Sequence, residues 1–331
     1  MSDILKEKNP NIRNIGVLTS GGDAPGMNAA VRAVVRSGID FGYGMFGIRR
    51  GYHGLWRGDI VNLKAKDVSG ILQRGGTTLM TARSETFKTP EGLQKAKNMV
   101  DVFNLGALVV IGGDGTFRGA QTLQKVGVPI VCIPATIDND IGCTEYTIGF
   151  DTSVNTAMQA IDKIKDTASS HERCSVVEVM GRNAGYIALE VGISCGAEVI
   201  LTPEVEWDFN QDVVRRLLFC RNVGKNHYVV IVAEGAGSAE ELATRIQEET
   251  GIESRATILG HMQRGGSPTV RDRYMSSLMG AKAIDCINKG NLNRIVAVKG
   301  GIITDIDVDE GLNTTKTIEK DVYEIAKFIA I

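Results

Sequence analysis

The sequence predicts two compact lobes of the α/β class, each built on a mainly parallel sheet. Three observations carry that expectation. A length of 331 residues with 43% hydrophobic content exceeds one average domain and supplies a large core. Short β-branched runs bounded by glycine recur along the chain. Helical patterns with charged residues gathered on one side lie between them, and strand then helix, repeated, means parallel pairing.

In order, the strand runs are Ile15 to Leu18, Ala107 to Ile111, Ile130 to Ile133, Ser175 to Val179, Val199 to Leu201, Tyr228 to Ala233 and Ile295 to Val298. The helical patterns include Met27 to Ile39, Val154 to Asp166, Asn183 to Cys195, Asp212 to Arg221, Ala239 to Thr250 and Tyr274 to Asn288. No low-complexity linker or fixed-period repeat separates the lobes, so the chain can cross between them more than once.

A formal net charge of -2 gives no global electrostatic reason to bind nucleic acid or membrane. The start, Met1 to Pro10, lacks the apolar core of a signal peptide, and later apolar runs are too short to cross a bilayer. The expected location is the cytoplasm. Six cysteines, at 132, 143, 174, 195, 220 and 286, form no C-x-x-C pair and sit mostly in apolar stretches, as reduced packing thiols would.

In α/β sheets ligands bind beyond the carboxyl ends of strands, and two strand ends here run into glycine-rich loops before a helix. The first, Thr19-Ser20-Gly21-Gly22-Asp23-Ala24-Pro25-Gly26, precedes a helix whose free N–H groups and positive dipole end suit a phosphate. Its glycines are spaced like a P-loop, but Met27-Asn28 replaces the Lys-Ser/Thr pair of a Walker A site. The second, Ile111-Gly112-Gly113-Asp114-Gly115-Thr116, sets one carboxylate among three glycines. Asp114 could hold magnesium, which takes few protein ligands and binds phosphate oxygens directly. Gly-Asp-Gly is equally a common turn sequence. Gly42 to Gly47 fits G-x-G-x-x-G, yet it follows a helix and precedes a strand, the wrong order for dinucleotide binding.

After the strand Ile130 to Ile133 comes Pro134-Ala135-Thr136-Ile137-Asp138-Asn139-Asp140, which carries two carboxylates at the same end of the sheet as the glycine loops. One could accept a hydroxyl proton while the other supports or orients metal.

Thr19 to Ala29, Ile111 to Gly115, Thr136 to Asp140, Val179-Met180-Gly181-Arg182 and Leu259-Gly260-His261-Met262-Gln263-Arg264-Gly265-Gly266 together resemble, in this order, the bacterial ATP-dependent 6-phosphofructokinases. The resemblance covers nearly the whole chain. Gly-Gly-Asp-Gly alone is also similar to NAD kinases and diacylglycerol kinases, which lack the other segments in this arrangement.

The resemblance implies two Rossmann-like three-layer α/β/α lobes: residues 1–148 plus 262–312 for ATP, and 149–261 plus 313–331 for the sugar phosphate. It implies a glycolytic kinase in which Asp138 takes the proton of the fructose 6-phosphate 1-hydroxyl as it attacks the γ-phosphate. Asp114 would bind magnesium, with Asp140 nearby. ATP would lie over Gly22, Arg83, Ser84, Gly113, Asp114, Gly115 and Thr116, and Arg83 would neutralise the transferring phosphoryl group. The sugar phosphate would be held by Thr136, Ile137, Asp138, Met180, Gly181, Arg182, Glu234, His261, Met262, Gln263 and Arg264. Arg173 and Arg255 would reach in from a neighbouring subunit of a homotetramer. Thr136, Asp138, Asp140, Arg83 and Arg182 form the expected catalytic group.

Pyrophosphate-dependent members of the superfamily carry Asp where Gly115 stands and Lys where Ala135 stands. Both positions are small here, so ATP is the expected donor and pyrophosphate the alternative. A catalytically silent sensor of nucleotide or sugar phosphate is the rival outside enzymes, but it predicts eroded carboxylates, and Asp114, Asp138 and Asp140 are all present. Arg32 and Arg36, four apart on the first helix, share a face. The resemblance places them in an allosteric pocket for ADP or phosphoenolpyruvate with Lys165, Gly196, Ala197, Glu198, Lys225 and His227. Ala65, Gly70 and Lys165 depart from the family's usual arginine, aspartate and arginine, which points to weak or altered regulation.

Overall fold

A computed structural model describes residues 8–329. The chain first builds β1 (Asn14–Thr19), α1 (Met27–Asp40), β2 (Gly44–Ile48), α2 (Gly51–Arg57), β3 (Ile60–Asn62), α3 (Pro90–Val102), β4 (Leu105–Gly112), α4 (Asp114–Lys125) and β5 (Ile130–Pro134). It continues through α5 (Phe150–His171), β6 (Cys174–Val179), α6 (Tyr186–Cys195), β7 (Val199–Leu201), α7 (Arg215–Asn222), β8 (Tyr228–Ala233), α8 (Ala239–Thr250) and β9 (Ser254–Ile258). It closes with α9 (Val270–Asn288), β10 (Arg294–Lys299), β11 (Ile302–Asp307), α10 (Val308–Leu312) and α11 (Lys320–Ile329).

Two units result. One comprises the chain up to Thr136, Ile141–Gly149 and Arg264–Lys316; the other comprises Ile137–Asp140, Phe150–Gln263 and the chain from Thr317 onward. The Asp138 segment thus groups with the second unit.

In the first unit a seven-stranded sheet runs β11-β10-β5-β4-β1-β2-β3. Its inner strands are parallel, and the outer β3 and β11 pair antiparallel. β5 is buried along its whole length and β4 nearly so, which is why both read as continuous apolar runs. One face of the sheet packs Leu108, Val110, Phe117, Leu123 and Ile130 into a single core cluster. On the other face α1 and α9 approach closely because Gly280 has no side chain. A Cβ there would stand 2.6 Å from Ala33 Cβ and 2.9 Å from the Ala30 carbonyl.

In the second unit a four-stranded parallel sheet runs β7-β8-β6-β9. Val176, Leu201, Val213, Leu217, Val230 and Ile246 form its core. The edge strand β9, Ser254-Arg255-Ala256-Thr257-Ile258, escaped the sequence reading because it mixes polar and apolar residues, as an edge strand can.

Four helices differ from expectation at their starts; the pattern from Val154 already begins at Phe150. The pattern from Asn183 becomes helical only at Tyr186, because Ala184 donates its N–H to the Gly181 carbonyl at 2.9 Å in a tight turn and the Gly185 N–H goes to Glu204 Oε1 at 2.9 Å. The pattern from Asp212 begins earlier, as a π-helical turn over Phe209–Val214 whose Asp208 accepts from the Gln211 N–H, and only then becomes α7. The pattern from Tyr274 begins at Val270, where the Thr269 side chain caps the Asp272 N–H.

Candidate active site

The first unit builds its loops from backbone. Gly26 caps α1 at φ 108° and Gly21 sits at φ 84°, both in the left-handed region that glycine tolerates. No side chain caps α1 or α4; the Met27 N–H goes to the Ala24 carbonyl and the Thr116 N–H to the Gly113 carbonyl, which leaves the other first-turn N–H groups to meet an anion. The two loops touch: Ser20 donates its N–H to the Ile111 carbonyl at 3.0 Å, and a Cβ on Gly112 would come within 2.5 Å of the Ser20 carbonyl oxygen. Over Gly22 lies Arg264, whose Nη1 would be 2.8 Å from a Cβ there and donates to the Asp23 carbonyl at 3.3 Å. Arg264, expected among the sugar-phosphate contacts, thus groups with the first unit and lies over the first glycine loop.

Asp114 opens α4, and its carboxylate takes Arg118 Nε at 2.8 Å and Nη2 at 3.2 Å. Open space surrounds the Cβ position of Gly115, while Ala135 is buried. Thr116 is buried, and its carbonyl accepts from the Tyr52 hydroxyl at 2.5 Å. Ser84 Oγ accepts from Trp56 Nε1 at 3.1 Å and from the Phe87 N–H at 3.2 Å, while Arg83 is exposed. The loop after β5 is tied in by the Ala135 N–H, which donates to the Gly112 carbonyl at 2.9 Å.

In the second unit side chains do the work. Asp138 is only 2% exposed, and Arg182 Nε lies 3.8 Å from its Oδ2. Asn139 at φ 51° and Arg182 at φ 55° hold left-handed backbone without being glycine, a strain that persists where surroundings fix it. Glu234 Oε1 accepts the N–H groups of Gly181 at 3.1 Å and Arg182 at 2.6 Å, so it shapes the Met180–Arg182 turn. Gln263, expected to contact substrate, is fully buried. Its Oε1 accepts from the Met180 N–H and its Nε2 donates to the Gly260 carbonyl, which makes it a support of the same turn. His261 and Met262 are exposed, as is Asp140, whereas Ile137 is buried.

The β6/β9 register sets Ser175 opposite Arg255 and brings Arg173 and Arg255 to one carboxylate. Each guanidinium places Nη2 at 2.9 Å from Glu253 Oε1, and the hydrogen bond from Arg173, joined by that from Arg255, holds Glu253 below its ordinary pKa. Sequence reading missed Glu253, although it stands two residues from Arg255, on the same side of an extended chain.

Of the expected effector residues, those in the second unit gather at the end of α6. Lys165 Nζ donates to the Cys195 carbonyl at 2.6 Å, and Gly196 caps the helix in the left-handed conformation. Glu198 is buried, accepts Lys225 Nζ at 2.6 Å and accepts the Val229 N–H at 2.6 Å. His227 Nδ1 lies 3.3 Å from Asn226 Oδ1, and Ala197 is buried. Arg32 and Arg36 belong to α1 of the first unit. Burial, and then the Arg36 charge, lower the Arg32 pKa.

Glycine loops at helix starts in one unit and, in the other, a buried carboxylate beside an arginine are features that phosphoryl transfer can use. The sequence pattern of the Phosphofructokinase family matches residues 14–287. The chain belongs to that family. It is 52% identical over 319 residues to an ATP-dependent 6-phosphofructokinase of Clostridium botulinum (strain Hall), covering 96% of this chain and 100% of that protein. The protein of the same name from Clostridium acetobutylicum is 51% identical over the same shares. The Saccharomyces cerevisiae phosphofructokinase structure superimposes with a TM-score of 0.87 at 34% identity, covering 96% of this chain and 48% of that chain. The chain therefore spans about half the length of the yeast chain. The pyrophosphate-dependent phosphofructokinase of Marinobacter aquaeolei shares the fold, at a TM-score of 0.83 and 20% identity.

Proposed function

We propose that this protein transfers the γ-phosphate of Mg-ATP to the 1-hydroxyl of D-fructose 6-phosphate, giving fructose 1,6-bisphosphate and ADP. Near-full-length likeness to proteins named for this reaction supports the reading, and the observation that carries it is the buried Asp138 carboxylate with Arg182 beside it. Asp138 accepts the hydroxyl proton as the oxygen bonds to phosphorus and the bridging bond to ADP breaks. Arg182 and Thr136 steady the reacting groups, and Arg83 answers the charge of the transferring phosphoryl.

Uncapped amides at the starts of α1 and α4, with Gly22, Gly113, Gly115 and Thr116, cradle the nucleotide phosphates. Open space at Gly115 and the methyl of Ala135 support ATP as donor. Asp114 fits magnesium, since a lone carboxylate suffices when phosphate oxygens supply other ligands and its pair with Arg118 is exposed and weak. Among the described residues no cluster of three potential ligands offers an alternative. Bound there with the nucleotide, magnesium would neutralise charge on the phosphate oxygens.

Met180 to Arg182, His261 and Met262 face the sugar phosphate, with Glu234 and Gln263 shaping the turn. Arg173 and Arg255 reach a neighbouring copy's site in a homotetramer, and the Glu198–Lys225 cluster with Lys165 forms part of an ADP or phosphoenolpyruvate site. No helix among the described residues is long and apolar enough to cross a membrane.

The test is a coupled assay for fructose 1,6-bisphosphate with magnesium and fructose 6-phosphate, run with ATP and separately with pyrophosphate. Activity with ATP alone is expected. Activity with pyrophosphate would overturn the donor assignment, and silence with both would leave a sensor.

A further inference from the structure

Between β5 and α5 the chain runs through Tyr146-Thr147-Ile148-Gly149, four residues with almost no solvent contact. This segment forms a strap between the Pro134–Thr136 segment and the first glycine loop. On one side Thr147 Oγ1 donates to the Thr136 carbonyl at 2.6 Å, and the Ile148 N–H donates to the Pro134 carbonyl at 3.0 Å. Thr136 is two residues before Asp138, so the strap grips the chain that carries the proposed base.

On the other side the strap supports the start of α1. A Cβ on Gly149 would stand 2.6 Å from Ala24 Cβ, and one on Gly26 would stand 2.7 Å from Ile148 Cγ2 and 2.9 Å from Ser276 Oγ. These approaches leave no slack between the strap and the loop.

One buried side chain anchors the strap. Asp272, fully buried in the first turn of α9, accepts the Gly149 N–H at 2.7 Å and the Tyr146 hydroxyl through the same Oδ1. The positive end of α9 offsets part of the cost of burying that carboxylate. Thr144 adds a second tether, since its Oγ1 accepts the Val298 N–H of β10 at 2.9 Å.

We propose that Tyr146, Thr147 and Asp272 are positioning residues for phosphoryl transfer, holding the Pro134–Thr136 segment, from which the chain leads to Asp138, and the first glycine loop through one buried strap. The proposal rests on the reaction proposed above. A displacement of about 1 Å at reacting groups costs orders of magnitude in rate, so a strap that fixes both loops acts on turnover before it acts on affinity.

Thr147→Val removes one O–H donor at nearly constant volume, and Thr147→Ser restores it. Thr147→Val is expected to lower kcat about tenfold, with KM for ATP and sugar phosphate within about twofold, and to speed amide hydrogen exchange over residues 134–149. Thr147→Ser is expected to keep the parent kcat. Tyr146→Phe, which removes only a hydroxyl, should lower kcat in the same direction and serves if the valine variant does not fold. Parental kcat and parental exchange in the folded valine or phenylalanine variant would overturn the proposal, as would a serine variant as slow as the valine. If the unmodified protein makes no fructose 1,6-bisphosphate, the proposed reaction falls, and the exchange measurement still decides whether the strap exists.

Discussion

The candidate anion sites of the two units are built by different means. The first uses backbone: glycines at positive φ, helix starts without side-chain caps, and loops packed so closely that Gly112 has no room for a methyl group. The second uses side chains: Arg173 and Arg255 share Glu253, and Arg182 sits beside Asp138 on a turn shaped by Glu234 and Gln263. A backbone site is broken by volume and hardly by charge. A side-chain site is broken by charge and tolerates volume where solvent is near.

The largest effect tests the side-chain half of that contrast. Asp138→Asn keeps shape and removes the proton acceptor, so kcat is expected to fall by roughly 10² to 10⁴ with small changes in KM. Near-parental turnover in a single-turnover experiment would remove Asp138 from the base role. Next comes Arg255→Ala, expected to raise KM for the sugar phosphate by about 10- to 100-fold with kcat little changed, because charge-assisted bonds hold the phosphate in ground and transition states alike. Unchanged substrate dependence would contradict that assignment.

The backbone half is tested by two glycine-to-alanine changes. At Gly112 the new methyl would meet the Ser20 carbonyl at 2.5 Å, whereas at Gly22 it would meet only the end of the Arg264 side chain at 2.8 Å. Gly112→Ala is expected to weaken ATP binding about tenfold or more, and Gly22→Ala by no more than about threefold, since a flexible guanidinium can move where a carbonyl cannot. Equal losses in ATP titrations would mean that packing does not distinguish the two positions.

The smallest effect lies away from both sites. Burial pushes Asp305 up, but hydrogen bonds from Lys282 and Arg294 outweigh it and hold the carboxyl below its ordinary 3.8. A depressed folded pKa stabilises the protein above the unfolded value, and that stability is lost as pH falls through the folded value. Asp305→Asn should therefore cost about 1–3 kcal/mol at neutral pH and flatten the acid limb of stability in urea titrations. An acid limb of parental steepness would show that the pair does not contribute.

Much of the fold was legible because apolar runs announce themselves. β7 and β8 fall where the glycine-bounded runs put them, and β1, β4, β5, β6 and β10 within a residue or two. The edge strands β3, β9 and β11 were not: β3 is only three residues long, and Ser254-Arg255 and Thr304-Asp305 interrupt the apolar pattern with groups that need solvent or a partner. α3 and α11 also went unmarked: α11 divides its apolar residues between a buried Tyr323 and Ala326 and an exposed Ile325 and Phe328. In the candidate site, Asp114 and Asp138 stood out through their glycine and strand-end settings, while Glu253 and Asp272 carried no motif. Their parts depend on strand register and on a helix start more than a hundred residues from the segment it holds.

By itself the sequence determined the parallel α/β construction, the two glycine loops, the carboxylates at the strand ends and the family, because these follow from local patterns of apolar spacing and backbone permissiveness. Only the tertiary structure decided that Gln263 and Glu234 shape a turn, that Arg264 lies over Gly22, that one carboxylate holds two arginines and that Asp272 anchors the strap. Those relations are set by packing between residues far apart in the chain, and no local pattern encodes which side chain will meet which.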